Sequence, residues 1–496
     1  MAWLREKLWT KVEISMKFPI PQDRILFIDH HLSHAASAMF CSPFEEAAVL
    51  TVDGVGEWST CCIGEASASW TDGGKNKIEF VEEMLFPHSL GLLYSTFTAW
   101  LGFKVNSGEY KVMGMAPYGQ PRHLERLEKI VRCHEDGSLR LNMDYFSFHH
   151  SVNTSYSPKF LEIFGPPRHP EKPFFTESQE RGALGCEKEI EENRYYADVA
   201  ATVQLFTEEA LLKTVRYLKK KTGQCNLVMA GGVALNSVAN GRIMREAPFE
   251  NIYIQPNPGD AGGALGAALY AWHVLMCRPR SFVMEHAYYG EEFTDDAVRQ
   301  FLMKSGADYR SFDDEESLAG YLVDAILSQK VVGISRGRFE WGPRALGNRS
   351  ILADPRRHEM KEIVNTKIKF REPFRPFAPA VLEEEAPGFF EMGMNRNQYP
   401  QRFMLSVFPV KPERGGEISA VNHFGTARLQ VVRKEWNFLY AEIIRLFGEA
   451  TGIPVLLNTS FNLRGEPMVA SPADAMRTFG MSDIDYLVLN NFVVSK

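Results

Sequence analysis

The sequence has no pair of cysteines at C-x-x-C spacing, and of its seven cysteines only Cys61 and Cys62 are adjacent. This scarcity excludes a disulfide framework and a structural zinc site, and it is typical of reduced thiols in a cytoplasmic protein. Long apolar runs are lacking too, since none approaches the roughly 20 residues that cross a bilayer. Residues 1–18 carry charges throughout and contain no small-residue cleavage site. We therefore expect neither a membrane partner nor a secretory signal.

Basic residues are fewer than acidic ones, with 55 lysines and arginines against 62 aspartates and glutamates. A net charge of -7 argues against a nucleic-acid partner, because such proteins present basic stripes to the phosphate backbone. The hydrophobic and charged fractions, 45% and 24%, are ordinary for a globular protein. A chain of 496 residues predicts about two to four domains.

Strands and helices alternate in the predicted secondary structure, which indicates an α/β fold. In the first half we predict strands at 47–53, 59–63, 226–230 and 251–255, and helices at 30–40, 198–219, from 234, and at 261–275. In the second half we predict helices at 313–328, 357–368 and 434–450, and strands at 331–335 and 454–458. Asp198 would stand at the N-terminus of its helix, where a carboxylate is favoured. A polar seam near 278–295 divides the chain into residues 1–284 and 285–496.

Two histidines and two aspartates suggest a metal site in the first half. His30 and His34 are four residues apart in a predicted helix and so share one face, as paired metal ligands do. Asp53 ends a buried strand before a glycine, where ligands tend to bind, and Asp260 lies in a similar turn. This set suits a divalent transition metal such as Fe(II) or Zn(II), and the spacing favours neither. Two alternatives stay open. In the first, His31 takes the place of His30, since His31 and His34 can also share a face. In the second, the histidines are ordinary residues of the helix and bind no metal.

A glycine pair marks a candidate nucleotide contact. Gly231 and Gly232 lie in residues 229–236 (MAGGVALN), between a predicted strand and a predicted helix. Glycine lets the backbone approach a base or a phosphate, and a helix N-terminus favours an anion. A tight strand-to-helix turn is an equally good interpretation. Lys111, in the glycine-rich residues 106–119, is a weaker phosphate candidate, because an exposed loop lysine is the commoner case.

Two basic clusters stand in the second half of this acidic chain. They are Arg336, Arg338, Arg344 and Arg349, and then Lys367, Lys369, Arg371 and Arg375. The planar guanidinium group binds phosphate or carboxylate with two parallel hydrogen bonds, so the clusters indicate an anionic ligand. A basic surface face is the alternative, but it leaves the interleaved glycine, proline and phenylalanine unexplained.

Short polar side chains follow the strand predicted at 454–458. They are Asn458, Thr459, Ser460 and Asn462. Such groups hydrogen-bond an oxyanion or a carbamoyl amide, and an ordinary polar turn is an equal alternative. Arg428, in residues 425–430 (GTARLQ), adds a further cation.

Nine motifs occur in one order from about residue 25 to the C-terminus. They are HHLSHAASA, LTVDGVGEW, NSGEYKVMGMAPYG, AGGVALN, PGDAGGALGAA, WGPRALGNRS, REPFRPFAP, GTAR and LNTSFN. On these motifs the chain resembles the NodU/CmcH-type O-carbamoyltransferases of nodulation-factor and antibiotic biosynthesis. The resemblance implies an actin-like front domain, similar to the tRNA threonylcarbamoyl transferase. It implies a YrdC-like back domain, as in the hydrogenase maturation carbamoyltransferase.

The resemblance also implies a reaction and its ligands. Carbamoyl phosphate and ATP would give carbamoyladenylate in the back domain, and the front domain would pass the carbamoyl group to a hydroxyl of a small metabolite. The metal ligands would be His30, His34, Asp53 and Asp260, with Fe(II) as the expected ion. Gly231, Gly232 and Asn236 would hold adenosine, with Lys111 as a further cofactor contact. Arg344, Lys369, Arg375, Arg428 and Ser460 would contact carbamoyl phosphate and the adenylate.

Family members carry roughly 80 further residues before the HHLSH helix, and we expect this chain to lack the strands they hold, which would expose sheet edges. The resemblance therefore leaves two hypotheses. One is a working carbamoyltransferase, and the other is a shortened remnant that binds nucleotide or carbamoyl phosphate without turnover. A tRNA-modifying transferase is disfavoured by the acidic charge.

Overall fold

The computed structural model describes residues 9–174, 187–393 and 399–496. We call residues 9–275 the front lobe. Its helices are α1 (Thr10–Lys17), α2 (His30–Met39), α3 (Leu90–Trp100), α4 (Glu109–Met115), α5 (Leu124–Leu127), α6 (Pro158–Phe164), α7 (Glu187–Thr222), α8 (Ser237–Glu246) and α9 (Asp260–Tyr270). Its strands are β1 (Glu46–Gly56), β2 (Ser59–Ser67), β3 (Lys77–Leu85), β4 (Val131–Cys133), β5 (Leu139–Leu141), β6 (Asn226–Ala230) and β7 (Asn251–Ile254).

Five of these strands form the front sheet, in the order β3-β2-β1-β6-β7. β1 pairs antiparallel with β2 and parallel with β6, and β6 pairs parallel with β7. The central strand β1 is buried along residues 47–53, because α2, α3 and α7 pack against it. This burial accounts for its continuous apolar run. The strand and helix predicted around it, 47–53 and 30–40, are confirmed within a few residues.

The helix predicted to begin at Asp198 already runs from Glu187 within the described residues. Asp198 therefore lies inside α7 and does not cap its N-terminus. Its carboxylate accepts a hydrogen bond of 2.7 Å from the backbone N–H of Gln120. The sequence before Asp198 is rich in charged residues, so its apolar periodicity was too weak to reveal the helical turns that precede Asp198.

We call residues 295–496 the back lobe. Its helices are α10 (Asp295–Ser305), α11 (Glu315–Leu327), α12 (Glu359–Glu362), α13 (Ala386–Phe389), α14 (Phe438–Thr451) and α15 (Pro472–Gly480). Its strands are β8 (Tyr309–Ser311), β9 (Val332–Ser335), β10 (Arg349–Ala353), β11 (Ala378–Leu382), β12 (Val407–Pro409), β13 (Thr426–Arg428), β14 (Gln430–Val432), β15 (Val455–Ser460), β16 (Tyr486–Leu489) and β17 (Phe492–Ser495).

Eight of these strands form the back sheet, in the order β14-β11-β15-β10-β9-β16-β17-β8. Parallel and antiparallel pairs are mixed: β10 is antiparallel to β9 and β15, whereas β16 is parallel to β9. α11 and α14 contact each other and share an apolar core with the strands. Both lobes therefore combine helices with a mixed sheet, and the predicted α/β class is confirmed. The predicted division at residues 284 and 285 falls between the last strand of the front sheet and the first strand of the back sheet.

Several hydrogen bonds join the two lobes. The Trp341 indole donates to Gln255 Oε1 at 3.2 Å, and His423 Nε2 donates to the carbonyl oxygen of Gly114 at 3.1 Å. The Trp341 contact is important for the sites, because it places the loop that follows β9 against the turn that precedes α9. In the described parts of the chain, none of the helices has both the length and the apolar character needed to cross a membrane.

Candidate metal cluster and arginine site

Four side chains of the front lobe converge in a way that suits a metal ion. They are His30, His34, Asp53 and Asp260, whose ligand atoms all lie within 4.8 Å of one another. His30 Nε2 lies 2.9 Å from Asp53 Oδ2 and 3.0 Å from His34 Nε2. His34 Nε2 lies 3.3 Å from the same carboxylate oxygen. The structure therefore brings together all four residues that the sequence predicted as ligands.

These separations match the edges of a coordination polyhedron. Two ligands bonded to one ion at about 2.0–2.1 Å stand about 2.9 Å apart at a right angle and about 3.3 Å apart at the tetrahedral angle. His30, His34 and Asp53 fall within this range. Asp260 Oδ1 is farther away, 3.6 Å from His30 Nε2 and 3.7 Å from His34 Nε2. Its side chain is 79% exposed. The donor set therefore fits a divalent metal.

Local structure explains why these four residues meet. α2 places His30 and His34 on the face towards the end of β1, and Asp53 lies in β1. His31 points elsewhere: its Nδ1 contacts Thr51 Oγ1 at 2.7 Å, and its Nε2 contacts the carbonyl oxygen of Ser59 at 2.9 Å. The alternative in which His31 takes the place of His30 is therefore not what the structure shows.

The electrostatics of the cluster favour an ionised carboxylate. Burial raises the pKa of Asp53, but its hydrogen bonds to His30 and His34 outweigh burial and hold that pKa well below its usual range. The hydrogen bond to Asp53 raises the pKa of His30. Burial and the charge of Asp53 raise the pKa of Asp260. A second negative group close to Asp53 is thus unfavourable without a cation, which a bound metal would supply.

The glycine turn predicted to hold adenosine has roles of its own in packing. Gly231 has φ +96°, and a Cβ there would lie 2.2 Å from the carbonyl oxygen of Val52. Gly232 donates its backbone N–H to Asp53 Oδ1 at 3.1 Å. Asn236 Oδ1 caps α8 by accepting from the backbone N–H of Ala239 at 3.1 Å. The geometry explains these residues as a tight turn against β1, and adenosine contact stays a prediction.

A second cluster, which we call the arginine site, lies in the back lobe and consists of Arg344, Arg371, Arg375 and Arg428. Within the described residues, Arg344, Arg371 and Arg428 form no ion pair with a carboxylate, although Arg375 pairs with Glu372 at 3.3 Å. Burial lowers the pKa of Arg344 to about 10 and that of Arg371 to about 9. Burial and then the charge of Arg344 lower the pKa of Arg428 well below its usual range. Such desolvated, mutually repelling cations make a site for an anion.

Lys369 and Ser460 meet beside this cluster. Lys369 is 2% exposed, and its ammonium group contacts the carbonyl oxygens of Ser460 at 2.6 Å and of Asn462 at 2.9 Å. It also contacts Ser460 Oγ at 3.3 Å. Burial, Arg371 and Arg375 lower the pKa of Lys369 well below its usual range. Lys369 therefore holds the polar turn that follows β15 against the loop that carries Arg371 and Arg375.

Other members of the basic clusters lie away from the arginine site. Arg336 pairs with Glu315, and Arg338 lies 3.7 Å from Glu292 with an exposed side chain. Arg349 is buried and donates to the backbone carbonyl oxygens of its own loop. These three arginines stabilise the loop and its surroundings, so only Arg344 from the first cluster reaches the candidate site.

Lys111, predicted as a cofactor contact, lies at the contact between the lobes, where its ammonium group donates to Glu372 Oε1 at 2.9 Å. Its contact with a cofactor stays a prediction. Sequence reasoning missed two residues beside Lys111. Tyr110 hydrogen-bonds Arg375, and Arg371 was part of the basic cluster without a predicted contact. The motif NSGEYKVMG already drew attention to this segment, but no local pattern reveals a contact across 265 residues.

Glu340 is a third residue that sequence reasoning passed over. It is 2% exposed, and its Oε1 accepts the backbone N–H groups of Leu346, Asn348 and Arg349 at 2.8, 2.9 and 3.1 Å. Burial raises its pKa. This carboxyl group stabilises the loop that carries Arg344. In the sequence, the only sign of this role was a single acidic residue among several arginines.

Two family models together match most of the chain. The model described as carbamoyltransferase N-terminus matches residues 2–269, and the model described as carbamoyltransferase C-terminus matches residues 323–496. The chain belongs to the carbamoyltransferase family. It is thus an enzyme of carbamoyl transfer, as the motifs predicted.

Similar sequences extend over nearly the whole chain. An uncharacterized protein of Synechocystis is 42% identical over 100% of this chain and 81% of its own length. Nodulation protein NolNO of Sinorhizobium fredii is 37% identical over 96% of this chain and 65% of its own length. Nodulation protein NolO of Bradyrhizobium diazoefficiens is 35% identical over 95% of this chain and 79% of its own length. A solved structure, T. kodakarensis HypF, matches 54% of this chain with a TM-score of 0.26 and 17% identity, too low to support an argument.

Two cavities adjoin the arginine site of this carbamoyltransferase. The first, of about 410 Å³, is lined by Tyr110 of the front lobe and Arg428 of the back lobe. The second, of about 1300 Å³, is lined by Arg371. His423 and Phe424 line both cavities, so they separate two adjoining spaces at the boundary of the lobes. There is room beside the arginines for a ligand larger than carbamoyl phosphate.

Proposed function

We propose that the enzyme activates carbamoyl phosphate with ATP and transfers the carbamoyl group to a hydroxyl of a small metabolite. In the first step, carbamoyl phosphate, ATP and water would give carbamoyladenylate, pyrophosphate and phosphate. In the second step, the acceptor hydroxyl would lose its proton to solvent as its oxygen attacks the carbamoyl carbon, and AMP would leave with the electrons of the broken C–O bond. Like carbamoyl phosphate, the adenylate is a mixed anhydride, and AMP is its good leaving group.

The arginine site is the observation that carries the first step. Carbamoyl phosphate is a small dianion, and Arg344, Arg371 and Arg428 are desolvated cations without carboxylate partners in the described residues. A dianion would neutralise their mutual repulsion on binding. The same charges would stabilise negative charge that develops on the departing phosphate. The adjoining cavity of about 1300 Å³ offers space for the nucleotide.

The metal cluster supports the second step. His30, His34, Asp53 and Asp260 would hold a divalent metal, which we propose to be Fe(II). A metal bound there would supply Lewis-acid chemistry, by polarising a carbonyl group or by lowering the pKa of an acceptor hydroxyl. The bond from Gly232 to Asp53 Oδ1 keeps Oδ2 turned towards the imidazoles. This fixed orientation is what a metal ligand requires from the groups around it.

A pyrophosphate-release assay tests the proposal. The purified chain is incubated with ATP, carbamoyl phosphate and Fe(II), and pyrophosphate and carbamoyladenylate are measured. We expect both products from the wild-type chain and neither from Arg375→Ala. Arg338→Ala is the matched control, because its exposed guanidinium belongs to the same basic sequence but lies outside the site. Ligand binding without any pyrophosphate would contradict the proposal and favour a remnant that binds without turnover.

A further inference from the structure

A tyrosine of the front lobe reaches into the arginine site of the back lobe. Tyr110 belongs to α4, and its hydroxyl oxygen accepts a hydrogen bond of 2.8 Å from Arg375 Nη2. The Arg375 guanidinium also lies 4.8 Å from the centre of the Tyr110 ring. Arg428 lines the same cavity as Tyr110. Tyr110 therefore lies beside two members of the arginine site, Arg375 and Arg428.

The hydroxyl proton of Tyr110 is available to a ligand. A guanidinium group carries only donors, so in the bond to Arg375 the Tyr110 oxygen is the acceptor. Its own O–H remains to be donated, and no group within the described ranges of the chain accepts it. The residue is 36% exposed and lines the cavity of about 410 Å³ together with Arg428. An anionic oxygen held by the arginines would be the missing acceptor.

The position of Tyr110 is fixed from both sides. At the start of α4, the Glu109 carboxylate accepts the backbone N–H groups of Asn106 at 2.8 Å and of Gly108 at 3.0 Å. Directly after Tyr110, Lys111 donates to Glu372 Oε1 at 2.9 Å, and Glu372 Oε2 accepts from Arg375 at 3.3 Å. The phenol is thus held against Arg375 by the hydrogen bonds at the start of α4 and by an ion pair between the lobes.

We infer that Tyr110 is a binding residue for carbamoyl phosphate, contributed by the front lobe to the arginine site of the back lobe. The inference rests on the proposed function, because it takes carbamoyl phosphate as the anion bound by the arginines. The Tyr110 hydroxyl would donate to an oxygen of this ligand and keep Arg375 turned towards it. The donor site would then be complete only when both lobes are in contact.

Titration calorimetry on the full chain tests this role. Tyr110→Phe keeps the ring and removes only the hydroxyl. We expect the dissociation constant for carbamoyl phosphate to rise about 10- to 100-fold, because a hydrogen bond to a charged group is lost. The matched control is Tyr118→Phe. Tyr118 also lies at the contact between the lobes, but its hydroxyl donates to the carbonyl oxygen of Phe374 at 3.3 Å, so we expect an unchanged constant.

The possible outcomes separate the inference from the proposed function. If the wild-type chain does not bind carbamoyl phosphate, both are overturned. If the wild-type chain binds it and Tyr110→Phe binds equally well, only the role of Tyr110 is overturned. If Tyr118→Phe weakens binding as much as Tyr110→Phe, the effect comes from contact between the lobes, and a direct hydrogen bond from Tyr110 is rejected.

Discussion

The backbone N–H of Gly232 donates a hydrogen bond of 3.1 Å to Asp53 Oδ1, and this bond joins the glycine turn to the metal cluster. The other oxygen of the same carboxylate faces both imidazoles, 2.9 Å from His30 and 3.3 Å from His34. The turn and the cluster are therefore one structural unit. A change at the turn is expected to alter metal binding even though no glycine is a ligand.

Gly232→Ala is expected to weaken metal binding. A Cβ at this position would lie 2.8 Å from Asp53 Oδ1, and the carboxylate must then move away from its place beside the imidazoles. We expect the metal affinity to fall about 10- to 100-fold, the range seen when groups that orient a ligand are removed. Metal titration followed by fluorescence or calorimetry measures this change. An unchanged affinity would show that the turn does not orient Asp53.

Gly231→Ala differs from Gly232→Ala, because we expect it to lower the stability of the fold. Its Cβ would lie 2.2 Å from the carbonyl oxygen of Val52, at φ +96°. We expect the free energy of unfolding to fall by about 2–4 kcal/mol, from strain and overpacking together. Gly223→Ala separates the two causes, since Gly223 has φ +70° with no atom within 4 Å of a Cβ. Gly223→Ala should lower the free energy of unfolding by only about 1–2 kcal/mol, because only the strain remains.

His34→Ala is expected to stop carbamoyl transfer and to spare adenylate formation. His34 is 1% exposed and lies at the centre of the metal cluster, so its loss removes one of three closely spaced ligands. We expect less than one metal ion per chain by elemental analysis, together with normal pyrophosphate release. His31→Ala is the control, because it removes one buried and one partly buried hydrogen bond but no ligand. It should lower stability by about 1–3 kcal/mol and keep the metal. Normal transfer by His34→Ala would reject the metal assignment.

Arg428→Met is expected to stabilise the protein while removing its activity. Arg428 is repelled by Arg344, Arg371 and Arg375, and it has no carboxylate partner in the described residues. Replacing such a cation with an apolar side chain of similar length should raise the free energy of unfolding by about 1 kcal/mol. Pyrophosphate release should fall by about 100-fold or more, since a cation that would stabilise the departing phosphate is lost.

Thermal melts with and without carbamoyl phosphate test this pair of effects. The melting temperature of the wild type should rise when the ligand is added. The melting temperature of Arg428→Met should be higher than that of the wild type without ligand and should rise less when the ligand is added. A variant that is less stable than wild type in the absence of ligand would mean that Arg428 has a structural role. The same melt on Arg338→Ala, outside the site, should match wild type in both conditions.

The sequence revealed the metal cluster better than the arginine site, for a physical reason. His30 and His34 are joined by helical periodicity, and Asp53 ends a strand with a clear apolar run, so each local pattern fixes where a side chain points. The members of the arginine site lie on separate loops. Glycine and proline give such loops their shape, and no periodic pattern distinguishes Arg344, which enters the site, from Arg349, which bonds its own loop. Contacts between lobes, such as that of Lys111 with Glu372, join residues 261 positions apart and leave no local signal.

Protonation of His423 is expected to destabilise the protein in mild acid. His423 lies between the lobes and donates from Nε2 to the carbonyl oxygen of Gly114 at 3.1 Å. Burial and the charge of Lys361 lower its pKa to about 3, despite the opposing effect of the Gly114 bond. An exposed histidine has a pKa of about 6.5, so the unfolded chain binds the proton more readily. The stability that the neutral ring contributes is complete above about pH 6.5 and is lost progressively as the pH falls towards 3.

The size of this loss can be measured with one conservative variant. Between pH 7 and pH 5, the difference in protonation should lower the free energy of unfolding by up to about 2 kcal/mol. His423→Gln keeps an N–H donor for the Gly114 carbonyl and has no group that titrates in this range. Denaturant unfolding of both proteins at several pH values should therefore show a smaller decline for His423→Gln. Equal declines would mean that the acid sensitivity arises elsewhere, because the only titratable group removed is the imidazole between the lobes.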